Sequence, residues 1–159
     1  MVEVGPVRVI GGVRPQNFDV GYRPDAIRFA FDSKSLNDRE SIGKNWQNMI
    51  NDLATEATTV HSRFPYAVVA FMVIYPAPAV SENHLIATIG TLERLGGRFL
   101  VDEADHRAEA VSLVVWNPHD GTIQENLPDP ASPLRIERFS DLVEKAYVAR
   151  YKGLPPHAA

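Results

Sequence analysis

The 159-residue chain contains no cysteine, which excludes disulfides and thiolate metal sites. It also lacks any apolar run of the roughly 18 residues needed to cross a bilayer. The longest such run, Tyr66 to Tyr75 (YAVVAFMVIY), has the length of a buried strand. The N-terminus carries neither the basic stretch nor the apolar core of a signal peptide. These absences lead us to expect a cytoplasmic protein with no membrane partner. Positive charge is not in surplus either: 16 Lys and Arg face 20 Asp and Glu, for a net charge of −4. Indiscriminate nucleic-acid binding, which goes with a basic surplus, is disfavoured, while a local basic patch stays compatible. Surplus carboxylates are what a divalent-cation site requires. There is no internal repeat, no low-complexity segment and no G-x-S-x-G elbow. Gly11-Gly12 and Gly96-Gly97 lack the lysine and hydroxyl residue of a phosphate-binding P-loop.

What is present suits one α/β domain. The chain is 45% hydrophobic and 23% charged, enough to bury an ordinary core. Val7 to Ile10 reads as a short strand ended by Gly11-Gly12. Phe18 to Tyr22 and Ala26 to Ser33 read as an antiparallel hairpin around Arg23-Pro24-Asp25. Ile42, Trp46, Met49, Ile50, Leu53, Ala57, Val60 and Phe64 recur at steps of three and four, predicting a helix from about Asp38 to Phe64, capped by Asn37, Asp38 or Ser41 and stopped by Pro65. Tyr66 to Tyr75 is apolar on both faces and should be a central strand. Ser81 caps a helix over about Glu82 to Leu95, closed by Gly96-Gly97. Ala110 to Trp116 is a late strand. A last helix is expected within about 138–151 and a frayed tail over 154–159. The core spans about 7–117.

The stretch FDVGYRPDAIRFAFDSKS carries the chemistry. In an antiparallel hairpin, opposed residues have numbers of constant sum. A turn around Asp25 makes that sum 50 or 51, and at 51 Asp19 faces Asp32, with Cβ atoms about 5 Å apart. Lys34 lies two residues beyond Asp32 and projects to the same face. Asp25, at the turn, lies on the order of 20 Å from Asp32, too far to share one ion. Two carboxylates so close repel unless a cation lies between them. Mg²⁺, which favours oxygen ligands, fits, with the Ser33 carbonyl as a third protein ligand and Lys34 beside the metal-bound water. The plain alternative is a solvated strand end.

At these residues the chain resembles the PD-(D/E)XK nuclease superfamily, the type II restriction-endonuclease-like fold: a mixed β-sheet flanked by helices. The family pattern of an acidic residue on the second strand and (D/E)-x-K at the end of the third is met by Asp19 and by Asp32-Ser33-Lys34. Ser35 fits the hydroxyl residue common after the lysine, and a helix and a buried strand follow in order. The resemblance covers about Val7 to Tyr75. It implies a Mg²⁺-dependent endonuclease hydrolysing DNA phosphodiester bonds, with Asp19, Asp32 and Lys34 catalytic, and Asp19, Asp32 and Ser33 holding the metal. Ser35, Arg39, Lys44 and Asn48 would lie on the DNA, and a homodimer would cut both strands. The family core opens with a helix that often carries a supporting glutamate. Glu3 is not an obvious substitute, so that helix is expected to be missing or supplied from elsewhere.

Two rival readings follow from the same residues: a nuclease-fold protein that no longer cuts and serves as a nucleic-acid-binding or structural module, and an interaction domain whose charged hairpin end is merely solvated. His61, His84, His106, His119 and His157 are scattered. The VDEADH segment, Val101 to His106, reads as a solvated acidic turn rather than a second metal cluster.

Overall fold

A computed structural model describes residues 1–157. It has five strands and three helices: β1 (Val2–Ile10), β2 (Pro15–Tyr22), β3 (Phe29–Ser35), α1 (Arg39–His61), β4 (Val68–Pro76), α2 (Glu82–Leu95), β5 (Ala110–Trp116) and α3 (Ile136–Tyr151). A 3₁₀ turn, Ala77–Ala79, joins β4 to α2. The strands form one open mixed sheet in sequence order. β1, β2 and β3 run antiparallel to their neighbours, while β3, β4 and β5 are parallel.

Parallel neighbours need a crossover, and α1 and α2 supply the two crossovers. The apolar stripe of α1 (Ile42, Met49, Leu53, Ala57, Val60) and that of α2 (Leu85, Leu92, Leu95) pack with Val69, Phe71, Val73 and Tyr75 of β4 into one core. Asp38 caps α1, its carboxylate accepting from Ser41 N at 2.8 Å. Ser81 caps α2, accepting from His84 N at 3.2 Å. Helix α3 packs on β5 and β4, and its Phe139 meets Phe31 edge to face. β4 is buried along nearly its whole length, as its two-sided apolar pattern requires.

Several boundaries differ from the sequence reading. β1 extends back to Val2 because a bulge between Val4 and Val7 absorbs Gly5-Pro6, with Gly5 at φ 102°. Proline is tolerated there because β1 is an edge strand. β3 starts at Phe29, since Ala26 to Arg28 belong to the turn that Asp25 organises. α3 starts at Ile136, where Arg135 offers no side-chain cap for a sequence reader to find. The expected frayed tail is tied down as far as it is described. Leu154 N donates to Tyr151 O, the Tyr147 hydroxyl meets His157 Nε2 at 2.8 Å, and Arg28 donates to Pro155 O. Residues 158 and 159 lie outside the described part.

A buried charge knot fastens the end of the sheet away from the hairpin notch described below. The Glu109 carboxylate takes Arg98 Nη1 at 2.7 Å, Arg150 Nη1 at 2.8 Å and Val69 N at 2.7 Å, with His61 Nε2 3.2 Å away. Burial pushes Glu109 up, but His61, the Val69 N–H and Arg150 outweigh it and hold the carboxyl below its usual range. One anion thereby joins α1, β4, α3 and the loop after α2. In that loop the acidic segment Val101 to His106 is structural. Glu103 accepts from Phe99 N and Leu100 N and pairs with Arg107.

Candidate active site

The hairpin register is the one with sum 51: Val20 pairs Phe31, Gly21 pairs Ala30 and Tyr22 pairs Phe29. The ladder then stops, one pair short of Asp19 and Asp32. Beyond it β2 stays with β1 and β3 stays with β4, so the two strands part. Asp19 stands at the notch. Its Oδ2 accepts both the backbone N–H of Ser33 at 2.9 Å and the Ser33 hydroxyl at 2.8 Å. The side chain takes a donor that a β2 carbonyl would take in a continuous ladder. Burial pushes the Asp19 carboxyl up, but the two Ser33 bonds, Asp32 and Lys34 outweigh it and hold it below its usual value.

Asp32 and Lys34 sit two apart on β3 and share the face that meets α1. Lys34 Nζ lies 2.6 Å from Asp32 Oδ2 and 3.0 Å from Glu56 Oε1 on α1. Gln16 Nε2 donates to the same Glu56 oxygen at 3.3 Å, bridging β2 to α1 across the notch. Asp32 and Glu56 are 6% and 3% exposed. Burial raises Asp32, with Lys34 opposing and Asp19 adding to the rise. Burial and the Asp32 charge raise Glu56 to about 7. Lys34 is pulled down by burial but raised overall by Asp32 and Glu56. Two buried carboxylates thus share one ammonium, with Asp19 close enough to act on Asp32 by its charge. Burial and mutual repulsion favour a proton on this cluster, with Glu56 the carboxyl raised furthest, to about 7.

The structure therefore brings Asp19, Asp32, Ser33 and Lys34 together and leaves Asp25 at the turn, where it grips Arg28 at 2.9 and 2.6 Å. Of Ser33, the N–H and hydroxyl are what meet Asp19. Ser35 and Asn48 line a cleft of about 350 Å³ that runs from Lys34 along α1. Arg39 and Lys44 are not in that lining. Arg39 reaches the Pro78 carbonyl and Lys44 pairs with Glu40 on the exposed side of the helix. Glu56 was missed in the sequence. Its signal was an acidic residue placed between Leu53, Ala57 and Val60 on the apolar stripe of α1, where an unpaired charge is disfavoured.

Among the described residues, no group of three or more His, Cys, Asp or Glu side chains is placed to hold a metal ion. Asp19 and Asp32 form a two-carboxylate oxygen pair. That donor set suits Mg²⁺, which is commonly bound through one or two carboxylates, with waters and substrate phosphate completing its shell. Comparison of the chain with protein-family models, curated proteins and solved structures finds no match. Among the described residues no helix is long and apolar enough to cross a membrane.

Proposed function

We propose that this chain is a restriction-endonuclease-like, Mg²⁺-dependent endonuclease that hydrolyses phosphodiester bonds in DNA. The observation that carries the reading is the meeting of Asp19, Asp32 and Lys34 where β2 and β3 part, with Glu56 buried against Lys34.

Asp19 and Asp32 would hold the ion between them, and its bound form would supply a polarised phosphoryl oxygen and a more acidic water. The protein's own residues account for the rest. Two hydrogen bonds from Ser33 fix the Asp19 carboxylate, so it need not reorganise when substrate arrives. An ammonium has three N–H donors. Asp32 and Glu56 face two of those on Lys34, leaving the third to orient the attacking water or to stabilise charge developing on phosphorus. Glu56 Oε1 anchors Lys34, and its partly protonated carboxyl offers a place for a proton beside the reacting centre. Two copies of the chain, each cutting one strand, would act as a homodimer, in keeping with the resemblance.

The test is cleavage of supercoiled plasmid with Mg²⁺ by wild type, Lys34→Ala and Asp32→Ala. Nicking by wild type and its loss in both variants is expected. Equal cleavage by all three would sink the proposal.

A further inference from the structure

Helix α1 carries a second, polar stripe besides its apolar one. Asn45, Asn48, Asp52 and Glu56 follow one another at steps of three and four, so they share one side of the helix. The stripe starts at the Lys34 cluster with Glu56 and extends about 16 Å along the axis to Asn45, at 1.5 Å per residue. Asn45, Asn48 and Asp52 line the cleft that opens from Ser33, Lys34 and Ser35. All three are exposed. Among the described residues none of their side chains takes part in a hydrogen bond or ion pair, although the helix offers neighbours on both sides.

The chemistry of this lining is selective. Lys34 is its one cation, and that charge is already shared by Asp32 and Glu56. A phosphate placed farther along the cleft would face Asp52 and no positive charge. A neutral nucleobase would find what it needs: amides that both donate and accept, and a carboxylate that accepts from an exocyclic amino group. Asn binds adenine through N6 and N7, and Asp accepts from the N4 amino group of cytosine. The cleft volume of about 350 Å³ falls within the range of small-molecule pockets.

Resting on the endonuclease reading, we propose that Asn45, Asn48 and Asp52 read nucleobases next to the cleaved phosphate from the major groove and favour adenine and cytosine, the bases whose exocyclic amino groups lie in that groove. Lys34, together with the ion that Asp19 and Asp32 would hold, engages the phosphate. The stripe sets which phosphate that is.

The experiment is to cut a DNA library of randomised sequence with the full chain and Mg²⁺ and to sequence the ends. Wild type should show adenine or cytosine enriched at a fixed offset from the cut. Asn48→Ala and Asp52→Asn should lower that enrichment about ten-fold. Each should raise KM on a preferred oligonucleotide more than it lowers kcat, with circular dichroism and Tm unchanged because the sites are exposed. Wild-type cutting with no base preference, or variants that keep the wild-type profile, would overturn the inference while the endonuclease reading stands. Absence of any cutting by wild type that is lost in Lys34→Ala would remove both together.

Discussion

Lys34 on β3 and Glu56 on α1 lie 3.0 Å apart, ammonium nitrogen to carboxylate oxygen, across the interface between strand and helix. The same ammonium touches Asp32 at 2.6 Å. A single cation thus serves two carboxylates that are almost completely buried, and this sets how the protein responds to pH and to substitution.

Glu56 is raised from 4.5 to about 7, by burial first and by the Asp32 charge. A carboxyl raised on folding contributes its stability fully below the unfolded value and loses it as pH rises through the folded value. Stability should therefore fall between about pH 4.5 and pH 7, by up to about 3 kcal/mol at ~1.4 kcal/mol per pKa unit. Glu56→Gln should flatten that slope. Urea unfolding of both proteins at pH 5 and pH 7.5 measures it, and parallel slopes would contradict the assignment of the proton to Glu56.

Lys34→Ala removes the cation and leaves Asp32 and Glu56 facing each other. Breaking a buried pair in this way costs about 3–5 kcal/mol. Lys34 is partly exposed, so the lower end is expected at pH 7.5. At pH 5, where Glu56 is protonated and needs no partner, the loss should be smaller. Chemical denaturation at the two pH values reads the difference. An equal loss at both would mean that Lys34 acts through packing alone.

Mg²⁺ should stabilise the folded chain in the absence of nucleic acid. A ligand at a hundred times its Kd adds about 2.7 kcal/mol. The Tm of wild type should rise with added Mg²⁺, while the increment should vanish in Asp19→Asn and in Asp32→Asn. Increments are compared within each protein, which removes the effect of the substitution itself. An unchanged increment in both variants would place any bound ion elsewhere.

The charge knot gives a prediction independent of the site. Glu109→Gln keeps the shape but leaves Arg98 and Arg150 without their shared anion. We expect a loss of about 3–5 kcal/mol, visible as a lower denaturation midpoint with an unchanged fold by circular dichroism. Gly11→Ala should also destabilise, because a Cβ there would stand 2.3 Å from the Thr59 carbonyl oxygen. Backbone must then move, at about 1–3 kcal/mol.

How much of this was legible depends on the range of the interaction. The hairpin register was narrowed to two choices by local turn chemistry, because Pro24 and Asp25 fix where the chain reverses to within one residue, and the structure takes the one with sum 51. Buried β4 and the Ser81 cap were equally local, while the cap of α1 was narrowed to Asn37, Asp38 or Ser41, of which Asp38 serves. The end of the ladder was not legible: that β2 and β3 part after Val20 and Phe31 depends on β1 holding one strand and β4 the other. Glu56 was harder still, since its partner Lys34 is reached only after α1 folds back over the sheet. The start of α3 left no trace because Arg135 caps nothing with its side chain.

The notch between β2 and β3 has a consequence for motion. The two strands are zipped at the turn and already separated at Asp19, with Gln16–Glu56 and Asp19–Ser33 as struts across the gap. Beside the notch, the cleft between the end of β3 and the polar side of α1 is part of the resting shape. Binding there should leave the backbone where it is, as in other preorganised sites. For the proposed DNA substrate, encounter rather than an opening motion of the protein should then set how fast the cleft fills.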